Sequence, residues 1–168
     1  MIDRIEAELA GEFDSAPPGE HLIGYHASAI EPIRRVAAEV SVDDVFIDLG
    51  CGAGKVVLTV AALTGARARG IEIQSVLVER ARMVAARLEI DAEFVLGDAR
   101  DAKLEDGTVF YLYLPFTGPV LDRVLERLRS IAETRPIVVC ALGVDLERFT
   151  WLRRRELDEF WLAIYDAP

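Results

Sequence analysis

The segment "VFIDLGCGAGKVV", residues 45 to 57, constrains the fold of this chain more than any other. A run of β-favouring apolar residues leads directly into glycines at 50, 52 and 54, and the nearly all-apolar stretch "KVVLTVAAL" follows. This order predicts a buried strand, a tight turn where a ligand comes close to bare backbone, and a buried helix. A strand buried on both faces belongs in a parallel sheet covered by helices.

The remaining sequence repeats the alternation. "ARGIEI" is a second strand after the break at Gly65, and "SVLVERARMVAARLEI" is an amphipathic helix with Ser75 as its expected cap. "AEFVLG", "TVFYLYL" and "PIVVCAL" are strands three to five, with a helix opening at Pro119 between the last two. Such alternation implies right-handed crossovers and a mostly parallel sheet with helices on both faces. Near the end, "WLRRREL" and "FWLAIYDA" are separated only by Asp158 and Glu159, too close for a crossover helix, so an antiparallel hairpin is expected. Ahead of this core (44–168), residues 1–43 form a helical arm. It holds a short helix on Ile2, Ile5 and Leu9, the irregular "GEFDSAPPGEH", and a second helix from about Ser28 with Pro32 in its first turn.

A chain of 168 residues is long enough for one full core and too short for two ordinary domains. No apolar run reaches membrane-spanning length and the N-terminus is not a secretory signal, so a cytoplasmic setting is expected with no membrane partner. Cys51 and Cys140 are expected reduced and structural, and with His21 and His26 they form no metal-binding spacing. The net charge of −10 opposes nucleic acid as a partner. Arg153, Arg154 and Arg155 form the best basic patch and are expected to make a solvated edge.

Glycine turns at strand ends hold several ligands. A P-loop is excluded, because Leu49 stands where its first glycine belongs and Val56 replaces the magnesium-binding hydroxyl, although Gly54 and Lys55 imitate its end. A dinucleotide pattern is one position short, since the third glycine arrives at Gly54 and Lys55 takes its place. The third option rests on Asp48, Gly50, Gly52 and Gly54, an acid followed by G-x-G-x-G. In this the chain resembles the class I methyltransferases, which use S-adenosylmethionine on a Rossmann-like seven-stranded sheet ending in an antiparallel hairpin. An acid just before the glycines suits a cationic amine and would repel a pyrophosphate.

The resemblance covers residues 25–165, the chain as a whole (1–168) is expected to be one methyltransferase domain, and the resemblance implies cofactor contacts from Asp48, Gly50, Cys51, Gly52, Gly54, Glu72, Ile73, Asp98 and Ala99. Glu72 would accept the ribose hydroxyls, which equally suits NAD. Asp98 would accept from the adenine amino group, with the Ala99 N–H donating to the ring. Within the class, the chain looks most like the protein lysine methyltransferases of the Dot1-like and archaeal broad-specificity type, whose N-terminal tyrosine motif corresponds here to "GYHASAIEPI". By that resemblance Tyr25 and Ser28 close over the cofactor; Ser28 could equally cap a helix.

The acceptor site is expected beyond strand four, at "YLPF". Here Tyr113 stands in place of the amide or acid, and Leu114 in place of the first proline, that the class carries for nucleobase or glutamine nitrogens. Tyr113, Phe116 and Tyr25 could instead desolvate a lysine and guide its cation, with His26 as a candidate base. The expected activity is methyl transfer to a protein lysine or to a small molecule, by a monomer or homodimer. An NAD-linked oxidoreductase and a non-catalytic cofactor-binding subunit stand as alternatives.

Overall fold

The computed structural model describes residues 1–11, 19–22, 27–158 and 161–168. Its centre is one seven-stranded sheet of strands β1 (Val45–Leu49), β2 (Arg67–Glu72), β3 (Glu93–Leu96), β4 (Val109–Tyr113), β5 (Ile137–Leu142), β6 (Arg153–Arg154) and β7 (Leu162–Ala167). The strands lie in the order β3-β2-β1-β4-β5-β7-β6, with β1 to β5 mutually parallel. The C-terminal strand β7 runs antiparallel between β5 and the short edge strand β6, so the expected hairpin is present.

All five residues of β1 are buried, as a central parallel strand requires. Side-chain alternation divides the core into two. Phe46, Tyr111, Cys140 and Ile164 face helices α1 (Ile2–Glu8), α2 (Ile30–Ala37), α3 (Lys55–Thr64) and α4 (Ser75–Leu88). Ile47, Phe110, Leu112 and Val139 face helix α5 (Gly118–Ala132).

The helices therefore cover the two faces unequally. The β3 to β4 crossover carries no helix; its turns bury Leu104 in the second core instead, and after β5 the loop buries Leu146 and Leu152 there. Two expected caps are also displaced. Gln74 precedes α4 without a side-chain cap, and Ala29 precedes α2, leaving Ser28 outside the helix. The three arginines of the edge are ion-paired: Arg153 with Asp166, Arg154 with Glu147, and Arg155 with both Glu39 and Asp166.

Gly54 has a packing role. It precedes α3 at φ +83°, and an added Cβ would lie 2.6 Å from the Phe94 ring and 2.9 Å from the Ala81 Cβ. Gly54→Ala should therefore cost about 2–4 kcal/mol of stability in chemical denaturation, from overpacking and backbone strain together. A loss below about 0.5 kcal/mol would contradict this packing.

Candidate functional site

Sheet order reverses between β1 and β4, whose neighbours are added on opposite sides. The crevice at the carboxyl ends of those strands is where an open α/β sheet binds its ligand. Asp48 of β1, Glu72 at the end of β2 and Tyr113 at the end of β4 all line a cleft there, together with Gly50, Cys51, Gly52, Lys55, Ser28, Tyr111 and Pro115.

The electrostatics of this cleft are unbalanced. Asp48 is 2% exposed, and burial first, then the neighbouring Glu72 carboxylate, hold its carboxyl well above the usual carboxylate range. Among the described residues no group donates a hydrogen bond to Asp48 and no cation offsets its charge. A buried acid without a partner is costly unless a ligand supplies the cation. Glu72 is different, because its carboxylate accepts the N–H of Gly52 at 3.0 Å and of Gln74 at 2.9 Å. It fastens the glycine turn to the end of β2. The N–H groups of Gly50 and Cys51 both donate to the Ile71 carbonyl, at 2.8 and 3.0 Å, which completes that attachment.

The glycines divide their tasks. Gly50, at φ +86°, lies so close to Pro115 that an added Cβ would stand 2.3 Å from the proline Cβ. Pro115 thus rests on the turn and separates the cleft into two small spaces of about 50 and 40 Å³. The second space is lined by Ile73, Asp98, Ala99, Phe116, Val120 and Leu22. The structure therefore gathers every expected cofactor residue at the two spaces except Gly54, which is absorbed in packing. Cys51 turns its sulfur toward Gly70, where an added Cβ would be 2.4 Å away, and burial pushes its thiol up. Asp98 is engaged by Arg100, whose guanidinium holds that carboxyl below its usual range.

Tyr25 and His26 lie outside the described residues. Ser28 is buried, with its hydroxyl 3.2 Å from the Tyr111 hydroxyl, so it neither caps α2 nor stands free. Sequence reasoning passed over Tyr111, Leu22 and Pro115. Strand alternation from Asp48 could have found Tyr111, its register partner on β4. Leu22 reaches the cleft by pairing with Phe116, a contact between distant segments that no local pattern announces.

Tyr113 and Leu114 also line a second, wider cleft of about 620 Å³ with Pro32, Asp145, Trp161 and Tyr165. Leu114 holds the left-handed conformation, φ +41°, and leans over Gly143, where an added Cβ would be 2.9 Å from its Cδ1. A non-glycine residue so placed marks a turn fixed by its surroundings. Among the described residues no cluster of three or more His, Cys, Asp or Glu could hold a metal ion. No helix there is long and apolar enough to cross a membrane.

Fold and cleft define a nucleotide-cofactor protein of the open α/β type. Residues 46–134, more than half of the chain, match the family model described as a methyltransferase domain, and the chain belongs to that family. An RNA methyltransferase from Salinibacter ruber, solved with S-adenosyl-L-homocysteine, superposes with a TM-score of 0.66 at 29% identity over 84% of this chain and 92% of that one. The Pyrococcus abyssi tRNA (uracil-54, C5)-methyltransferase, also solved with S-adenosyl-L-homocysteine, superposes at 0.61 with 18% identity, over 82% of this chain and 37% of that one. An uncharacterized protein of Methanocaldococcus jannaschii, MJ0284, is 39% identical over 59 residues, which span 35% of this chain and 27% of that protein. The fold is thus that of a class I S-adenosylmethionine-dependent methyltransferase, and the ligand question left open by the glycines closes on that cofactor. These matches stop at the class and carry no nearness to Dot1-like or other lysine methyltransferases.

The donor set fits the cofactor. Asp48 would take its ammonium, Glu72 its ribose hydroxyls, and Ile73, Ala99 and Asp98 its base. The raised Asp48 has a consequence for stability. Its charge is penalised in the folded state, so the penalty is absent below the usual carboxylate range and grows as pH rises from there through the folded pKa. Asp48→Asn should therefore stabilise the ligand-free protein at neutral pH, with the gain vanishing as pH falls to the usual carboxylate range, while S-adenosylhomocysteine affinity falls at least about 30-fold. Thermal melts across pH and calorimetry check both; a destabilised, tight-binding variant would contradict the assignment.

Proposed function

We propose that this chain transfers a methyl group from S-adenosylmethionine to an amino nitrogen, with the side chain of a protein lysine as the acceptor. The observation that carries this reading is the wider cleft, whose aromatic walls Tyr113 and Trp161 meet the cofactor cleft at Tyr113 and Leu114. Aromatic faces attract an ammonium, and their apolar surroundings favour loss of its proton, which the reaction needs. Asp145 at the same cleft adds a carboxylate that a cation would approach.

The bound cofactor supplies a methyl already activated by its positive sulfur. What the chain contributes is alignment and exclusion of water, which together can supply roughly 7–11 kcal/mol without a nucleophilic side chain. Tyr113 stands at the junction where the acceptor nitrogen would meet the methyl. Among the described residues no inserted segment caps the cleft, which suits a side chain presented by a large partner better than a free small molecule. The buried, unpaired thiols of Cys51 and Cys140 suit a reducing, cytoplasmic setting.

A second reading, methyl transfer to RNA, draws on the description of the S. ruber structure. The net charge of −10 and the ion-paired arginines of the β6 edge oppose it, since phosphate binding requires unengaged cations.

Incubation of the protein with a cell lysate and methyl-labelled cofactor separates these readings. Label that survives nuclease, is released by protease and maps to lysine by mass spectrometry is the expected result. Nuclease-sensitive label would establish the RNA reading, and label confined to small molecules, or none without an added partner, would overturn the lysine proposal.

A further inference from the structure

Lys55 is the one cation lining either part of the cofactor cleft among the described residues. It is the first residue of α3, immediately after the glycine turn, in the position where the sequence imitates the end of a P-loop. Its Nζ donates to the Glu6 carboxylate of α1 at 2.8 Å, with the lysine side chain only 15% exposed. One of three ammonium protons is thereby committed and the others remain available.

The cleft is otherwise arranged for positive charge. Asp48 and Glu72 supply two carboxylates, whereas the cofactor's amino acid end also carries a carboxylate of its own. A ligand carboxylate brought next to Asp48 without a cation would be repelled. We infer that Lys55 receives that carboxylate, so that the amino acid end is held between Asp48 on its ammonium and Lys55 on its carboxylate. Glu6 acts as a positioning residue: it keeps the lysine extended along α1 at the mouth of the cleft, away from a collapsed pairing with Asp48. The N-terminal helix, which is also anchored by the Glu8 pairing with Arg87 and by Arg80 donating to the Glu8 carbonyl, thereby takes part in cofactor selection. This inference rests on the reading that the cleft binds the sulfonium cofactor.

Its test compares two ligands that differ at the amino acid end. S-Adenosylhomocysteine carries that end and 5′-methylthioadenosine lacks it, so their affinity ratio reports on its recognition alone. Lys55→Met is expected to weaken S-adenosylhomocysteine by roughly tenfold or more, the worth of a charge-assisted hydrogen bond, and to leave 5′-methylthioadenosine within about twofold. Glu6→Gln removes the ion pair with α1 but keeps the lysine charge, so it should lower thermal stability about as much as Lys55→Met while lowering the ratio only about threefold, between the wild type and the lysine variant. If Lys55→Met folds poorly, Lys55→Gln serves in its place. An unchanged ratio in the lysine variant, or an equal loss for both ligands, would overturn the inference. Failure of the wild-type protein to bind S-adenosylhomocysteine would instead refute the cofactor reading on which it rests.

Discussion

The Asp48 carboxylate is the constraint around which the site is organised. Strand β1 is buried along its whole length because helices cover both faces of a parallel sheet, and that burial carries Asp48 inward with it. Hydrophobic packing of Phe46 and Ile47 on opposite faces fixes the strand, so the acid cannot turn away to water. Glu72 adds a second carboxylate nearby rather than a cation. The folded protein thus carries an electrostatic cost that a positively charged ligand relieves, as expected of a site selected for binding rather than for stability.

Around that charge, the glycine turn is held by backbone bonds to Ile71 and by the Glu72 side chain, and two of its glycines answer to different neighbours. Gly50 yields to Pro115 and Gly54 to Phe94 and Ala81. Pro115 lies across the turn between the two parts of the cleft, and Leu114 beside it holds the left-handed conformation. The same turn, through Tyr113 and Leu114, borders the wider aromatic cleft.

Much of this was legible in the sequence because it depends on local periodicity. The apolar run of β1, the helix after Gly54 and the close spacing of the last two strands all survive as written, since each buries a face that its own pattern defines. What the sequence concealed depends on distant contacts. The burial of Leu104 is one such case, because it fills the second core from a turn between β3 and β4. Ser75 and Ser28 looked like caps, yet neither caps its helix, and Ser28 is drawn to Tyr111 on the central strand β4. Among the candidate site residues, Asp48 was legible from its place just before the glycines and Glu72 from its strand-end position, whereas the ion pair between Lys55 and Glu6 joins residues far apart in the chain and leaves no local trace.

The cofactor site depends above all on whether a buried, unpartnered Asp48 binds the cofactor's charged amine. The most direct measurement is the affinity of the wild-type protein and Asp48→Asn for S-adenosylhomocysteine across pH 5 to 8. Ionisation of Asp48 is held above the usual carboxylate range, so wild-type affinity should rise with pH through that ionisation and then level off, while the variant binds weakly with a flat profile. Profiles of the same shape in both proteins, or tight binding by the variant, would contradict it.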